Sequence, residues 1–98
     1  MNDFAEIEKL WLEFRSLPYP ESSAEEVKGI CVITLDTFTS GCIDTFISGK
    51  GRLDKKRKSI LRQSQKELEI VVDNLSGEGK TYFEKLLNLT DKIVPALE

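Results

Sequence analysis

Four groups of residues in this 98-residue chain have types and spacings that could do chemistry. Ser76-Gly77-Glu78-Gly79-Lys80-Thr81 ends like a phosphate-binding loop, in which backbone amides and a lysine hold nucleotide phosphates. The first glycine of that pattern would fall at Asn74, and a long helical pattern precedes the stretch where a strand is needed. It reads as a turn between helices, and nucleotide binding is not expected.

The second group is a basic run: Lys50, Arg52, Lys55, Lys56, Arg57, Lys58, Arg62 and Lys66. Residues 49–66 sum to +7, whereas residues 1–28, 29–48 and 67–98 sum to −4, −2 and −4. Cations at a helix start oppose the helix dipole, so something nearby should offset them. Nucleic acid or another polyanion, gripped by Lys55, Lys58, Arg62 and Lys66, is one candidate. The other is internal: Asp3, Glu6, Glu8, Asp44, Asp91 and Glu98 would gather at the same end of a bundle. No aromatic residue is interleaved for base stacking and the pI is about 5.1, which favours the internal account.

The third group is a pair of carboxylates, Asp36 and Asp44, on one face of an expected helix but two turns apart. A hydrolase built on them would need a cleft and a divergent pair of acidities, and is the weakest reading. The fourth group is Cys31 and Cys42, eleven residues apart. On one helix they stand ~16 Å apart and cannot pair within the chain. Both are expected to be small buried hydrophobes. Histidine is absent, which removes the commonest general base and metal ligand. Without a Ser–His, Cys–His or ligand cluster, neither an enzyme nor a cofactor is expected.

The elements that would carry these groups are helical, and the expected fold is all-α: an up-down-up-down four-helix bundle in one domain, residues 1–98. A first helix over 3–17, capped by Asn2 or Asp3, places Phe4, Ile7, Leu10, Trp11, Phe14 and Leu17 on one stripe. Pro18 and Pro20 end it. A second helix over 24–48 opens on a capping box, Ser23 with Glu26. Its core arc would be Val27, Cys31, Thr34, Leu35, Phe38, Cys42, Thr45 and Phe46. A rival reading makes Ile30–Thr39 a strand turning at Thr39-Ser40-Gly41, but its alternation is poor. After Gly49 and Gly51, a third helix over 52–74 buries Leu53, Ile60, Leu61, Ser64, Leu68, Val71, Val72 and Leu75. A fourth over 79–94 buries Tyr82, Phe83, Leu86, Leu87, Leu89, Thr90, Ile93 and Val94, and Pro95 stops it. Short links make consecutive helices antiparallel.

The back of helix two carries Ile33, Asp36, Ser40, Ile43, Asp44 and Ile47. A bundle helix buries about one stripe, so these need either a wider core or a partner protein. The expectation is a small intracellular, cytoplasmic protein-interaction module that docks another protein, or itself as a homodimer, by surface complementarity. An inhibitor- or immunity-like role suits its size and charge asymmetry. Nothing resembles a signal peptide, because Glu6, Glu8, Lys9, Glu13 and Arg15 interrupt any apolar stretch at the start, nor a membrane span, since Asp36 stops the longest apolar run.

Overall fold

A computed structural model describes residues 3–21 and 24–97. Among them four helices make the fold: α1 (Asp3–Arg15), α2 (Val32–Ser48), α3 (Lys55–Asp73) and α4 (Gly77–Ile93). A two-stranded hairpin, β1 (Glu26–Val27) and β2 (Ile30–Cys31), precedes α2, and a 3-10 turn, Val94–Ala96, follows α4. Among the described residues no helix is long and apolar enough to cross a membrane.

Direction is fixed by contacts at both ends of the bundle. Lys92 Nζ at the end of α4 lies 3.4 Å from Glu6 at the start of α1. At the other end the rings of Phe14 and Tyr82 sit 4.8 Å apart, so α1 and α4 are antiparallel. Gln65 Nε2 donates to Asp91 Oδ1 at 2.7 Å, from mid-α3 to late α4. Phe4 meets Phe46, tying the start of α1 to the end of α2. The result is the up-down-up-down bundle, with α3 packed most extensively on α2 and α4, and α1 chiefly on α4.

The stripes of α1, α3 and α4 are buried as their spacing predicts. Ile7, Trp11 and Phe14 of α1, Leu61, Leu68 and Val71 of α3, and Phe83, Leu86, Leu89 and Ile93 of α4 meet in one core. Helix α3 starts later than its pattern suggests because Asp54 caps it: one carboxylate oxygen accepts from the Arg57 amide at 3.2 Å. Helix α1 stops at Arg15; the amides of Ser16 and Leu17 turn back to Glu13 and Phe14 before Pro18. Of its proposed caps, Asn2 lies outside the described residues, and so does the Asp3 side chain.

Helix α2 departs most from its sequence reading. It begins at Val32, not at residue 24, and the capping box does not form: Ser23 lies outside the described residues and Glu26 is in β1. Lys28 and Gly29 have φ of 52° and 81°, the paired left-handed residues of a two-residue hairpin turn. Glu26 pairs with Cys31 and Val27 with Ile30. Continuing the helix through Gly29 would cost ~1 kcal/mol relative to alanine there, whereas the hairpin buries Val27 and packs Ile30 on the core. The turn therefore falls ten residues or so before the Thr39-Ser40-Gly41 site of the rival strand reading, and those three residues are helical. Cys31 offers α2 no side-chain cap; instead the Val32 amide donates to the Glu25 carbonyl at 3.1 Å, so the hairpin closes the helix start. At the far end a Cβ on Gly49 would stand 2.9 Å from the Arg52 carbonyl oxygen, and this close approach requires glycine.

Candidate functional site

The phase of α2 decides which of its residues can meet anything. Its buried side is Val32, Leu35, Thr39, Cys42, Ile43 and Phe46. At 100° per residue that arc is turned about a quarter of a circle from the one its sequence suggested. Phe38, expected in the core, is 60% exposed, and Ile43, expected at a docking surface, is fully buried. Of the other residues in the expected stripe, Ile33 and Asp44 are exposed, Asp36 and Ser40 half-buried, and Ile47 packs against the core. The wider core therefore claims most of that stripe.

What the rotation opens is a groove between α2 and α3. Two hollows, of about 560 and 350 Å³, share Phe38 and Ile60 as a common wall. The first runs from the hairpin past Thr34 and Leu35 to Gln63 and Glu67. The second continues past Gly41, Cys42 and Thr45 to Arg57. Leu35, Ile60, Cys42 and the buried Ser64 lie along the groove, threonines and Gln63 edge it, and its two ends carry Glu67 and Arg57, the latter paired with Asp54. Such a layout resembles the centre and rim of protein interfaces, where an apolar anchor is ringed by polar groups.

Cys31 opens onto the first hollow. Its thiol accepts from Thr34 Oγ1 at 3.2 Å, a hydrogen bond that holds its pKa below the usual thiol value. Cys42 forms part of the second hollow's floor, and burial pushes its thiol up. The two cysteines thus divide: one exposed and one buried, against the expectation that both are core residues.

The basic start of α3 is a separate surface. Lys55, Arg62 and Lys66 are exposed and Lys58 is half-buried. Arg57 pairs with Asp54 at 2.8 Å, and Arg62 donates to the Leu97 carbonyl at 3.4 Å. Among the described residues Lys50, Arg52, Lys55, Lys56 and Lys66 have no ion pair. Of the acids expected to neutralise them, Glu6 pairs with Lys92 and Asp91 accepts from Gln65, while Glu98 and the Asp3 side chain lie outside the described residues.

A third feature, which sequence reasoning missed, lies between α2 and α4. Tyr82 Oη donates to Asp36 Oδ1 at 2.8 Å, and Tyr19 stacks edge-on against Tyr82. Burial raises the Asp36 carboxyl above its ordinary value, with the Tyr82 hydrogen bond pulling the other way. Both tyrosine hydroxyls are raised, by burial first and then by Asp36. No periodicity marks this contact, since its partners are 46 residues apart. Asp36 is thus a structural acceptor, separated from Asp44, which is exposed. Beside it an open trough of about 790 Å³ runs between Pro18-Tyr19-Pro20 and the first turns of α4. The near-phosphate-loop lies there, with Thr81 Oγ1 bonded back to the Gly77 carbonyl within its own helix. Among the described residues no group of three acids and cysteines is placed to hold a metal ion.

Comparisons of the chain with protein-family models, with curated proteins and with solved structures find no match.

Proposed function

We propose that this chain is a protein-interaction module whose α2/α3 groove receives an amphipathic helix of a partner. The observation that carries this reading is Phe38, a large apolar side chain 60% exposed at the junction of two hollows on a helical face. A helix laid in the groove would cover Phe38 and Ile60 with its apolar side, the arrangement of helix-in-groove recognition. Charge sets its direction: basic residues toward Glu67 and acidic residues toward Lys56, which has no ion pair among the described residues.

The test uses helical peptides selected from a displayed random library against the folded protein, then mapped by amide chemical shifts. Support would be peptides whose perturbations centre on Thr34, Phe38, Ile60 and Gln63 and vanish with Phe38→Ser. Peptides that all map elsewhere would overturn it.

A second reading is favoured by the density of cations at the start of α3, where Lys55 and Lys66 have no ion pair among the described residues. It is a nucleic-acid or polyanion binder using Lys55, Lys58, Arg62 and Lys66. It predicts oligonucleotide binding that weakens steeply with salt, with a log–log slope shallower by about two when Lys55 and Lys66 are replaced by Gln. Flat titrations at low salt would remove it.

A further inference from the structure

We infer that the partner helix face is supplied by a second copy of this chain, set antiparallel on the first about a two-fold axis beside Phe38 and Ile60. This rests on the docking reading above and names the occupant. The argument is the way charge is divided along α3. Its first twelve residues, Lys55–Lys66, carry six cations and no acid, and the remaining seven, Glu67–Asp73, carry Glu67, Glu69 and Asp73 and no cation. Such a helix repels a parallel copy and attracts an antiparallel one. The polarity that the groove asks of an incoming helix, basic over Glu67 and acidic over Lys56, is the polarity α3 itself presents when reversed.

The geometry permits a closed pair. Lys56 and Glu67 are eleven residues apart, three turns, so they share the flank of α3 that borders the groove. They stand about 8 Å either side of the Ile60–Gln63 midpoint. A two-fold axis through that midpoint brings Lys56 of one copy over Glu67 of the other, twice. It also brings the two Phe38 side chains toward one another, covering both. Lys56 is exposed with no ion pair among the described residues, and Glu67 accepts from Gln63 at 3.3 Å. The interface is isologous, and closing on itself leaves no free groove to extend a fibre.

The test is sedimentation equilibrium up to about 0.5 mM, within the range of weak transient association, on the wild type and on Lys56→Glu, Glu67→Lys and Phe38→Glu. Expected are a dimer for the wild type, a roughly fivefold to tenfold weaker one for either charge reversal, and a monomer for Phe38→Glu. Mixing the two reversals should restore the wild-type affinity. In that mixed pair the two substituted side chains face each other with opposite charges in one contact, and the native pair is kept in the other. A wild type that is monomeric throughout overturns the inference. So does a dimer whose reversed variants gain nothing on mixing. In either of those cases peptides that still map to the groove leave the docking reading standing, and peptides that map elsewhere remove both.

Discussion

The orientation of α2 can be tested by comparing Ile43→Ala with Phe38→Ala, since the sequence pattern and the structure rank them oppositely. Ile43 is fully buried, and its truncation removes three carbon atoms from the core. The transfer cost is about 2.4 kcal/mol at ~0.8 per methylene, and the residual cavity raises the total to about 3–4 kcal/mol. Phe38 has only some two-fifths of its surface covered. Scaling the ~3–5 kcal/mol of a core phenylalanine truncation by that fraction gives roughly 1–2 kcal/mol, and an open groove seals no cavity, so about 1 kcal/mol is expected. In a urea titration followed by circular dichroism, with a slope near ~1–1.5 kcal/mol/M, Ile43→Ala should lower the midpoint by about 2–4 M and Phe38→Ala by about 1 M or less. A chain with ~5–10 kcal/mol of total stability survives both changes in water. Equal losses, or a larger one at Phe38, would mean that α2 faces the other way and that the groove does not exist.

Thr39 is fully buried with no hydrogen-bond partner for its hydroxyl among the described residues, so Thr39→Val should raise stability by about 1–2 kcal/mol. A lower urea midpoint for that variant would count against an unpartnered hydroxyl. Asp36 has a folded pKa raised by burial above the ordinary 3.8, so the folded chain holds its proton more tightly than the unfolded one. Its contribution is therefore fully present below the ordinary value and is lost as pH rises through the raised one. Asp36→Asn, which keeps an acceptor for Tyr82, should flatten that decline in a pH series of urea midpoints; an unchanged slope refutes the assignment. For the thiols, an aromatic disulfide reagent should titrate Cys31 in the native protein and reach Cys42 only on unfolding. Rapid modification of both would show the second hollow to be deeper than described.

Three of the four helices are legible because each has one dominant apolar stripe and a largely polar back, with Leu12 and Ile70 as isolated exceptions. Ile7, Trp11 and Phe14, or Leu61, Leu68 and Val71, admit a single phase. Helix α2 has apolar side chains nearly all round it, Ile33 and Phe38 outside as well as Val32 and Ile43 inside, so spacing alone selects no unique face. Its burial against α3, α4 and the start of α1 settles the choice, and that is tertiary information. The hairpin was hidden for a different reason. Strands of two residues are too short for alternation to show, and the informative signal was the Lys28-Gly29 pair just ahead of a β-branched run. The basic run was visible at once, but its neutralisation depended on which acids were already engaged, as Glu6 is by Lys92. The groove is invisible in the sequence because helical spacing places Phe38 on the core arc.

The chain has one tryptophan, and it sits on the helix with the fewest neighbours. Trp11 is nearly buried, stacked with Phe14 at 6.1 Å and covered by the Arg15 guanidinium at 5.8 Å. Its emission therefore reports the docking of α1, while the far-ultraviolet ellipticity reports all four helices. A melt in which the indole shifts red ahead of the ellipticity would show α1 peeling away as a separate step. The molecule is thus born with a local optical gauge of its own first helix.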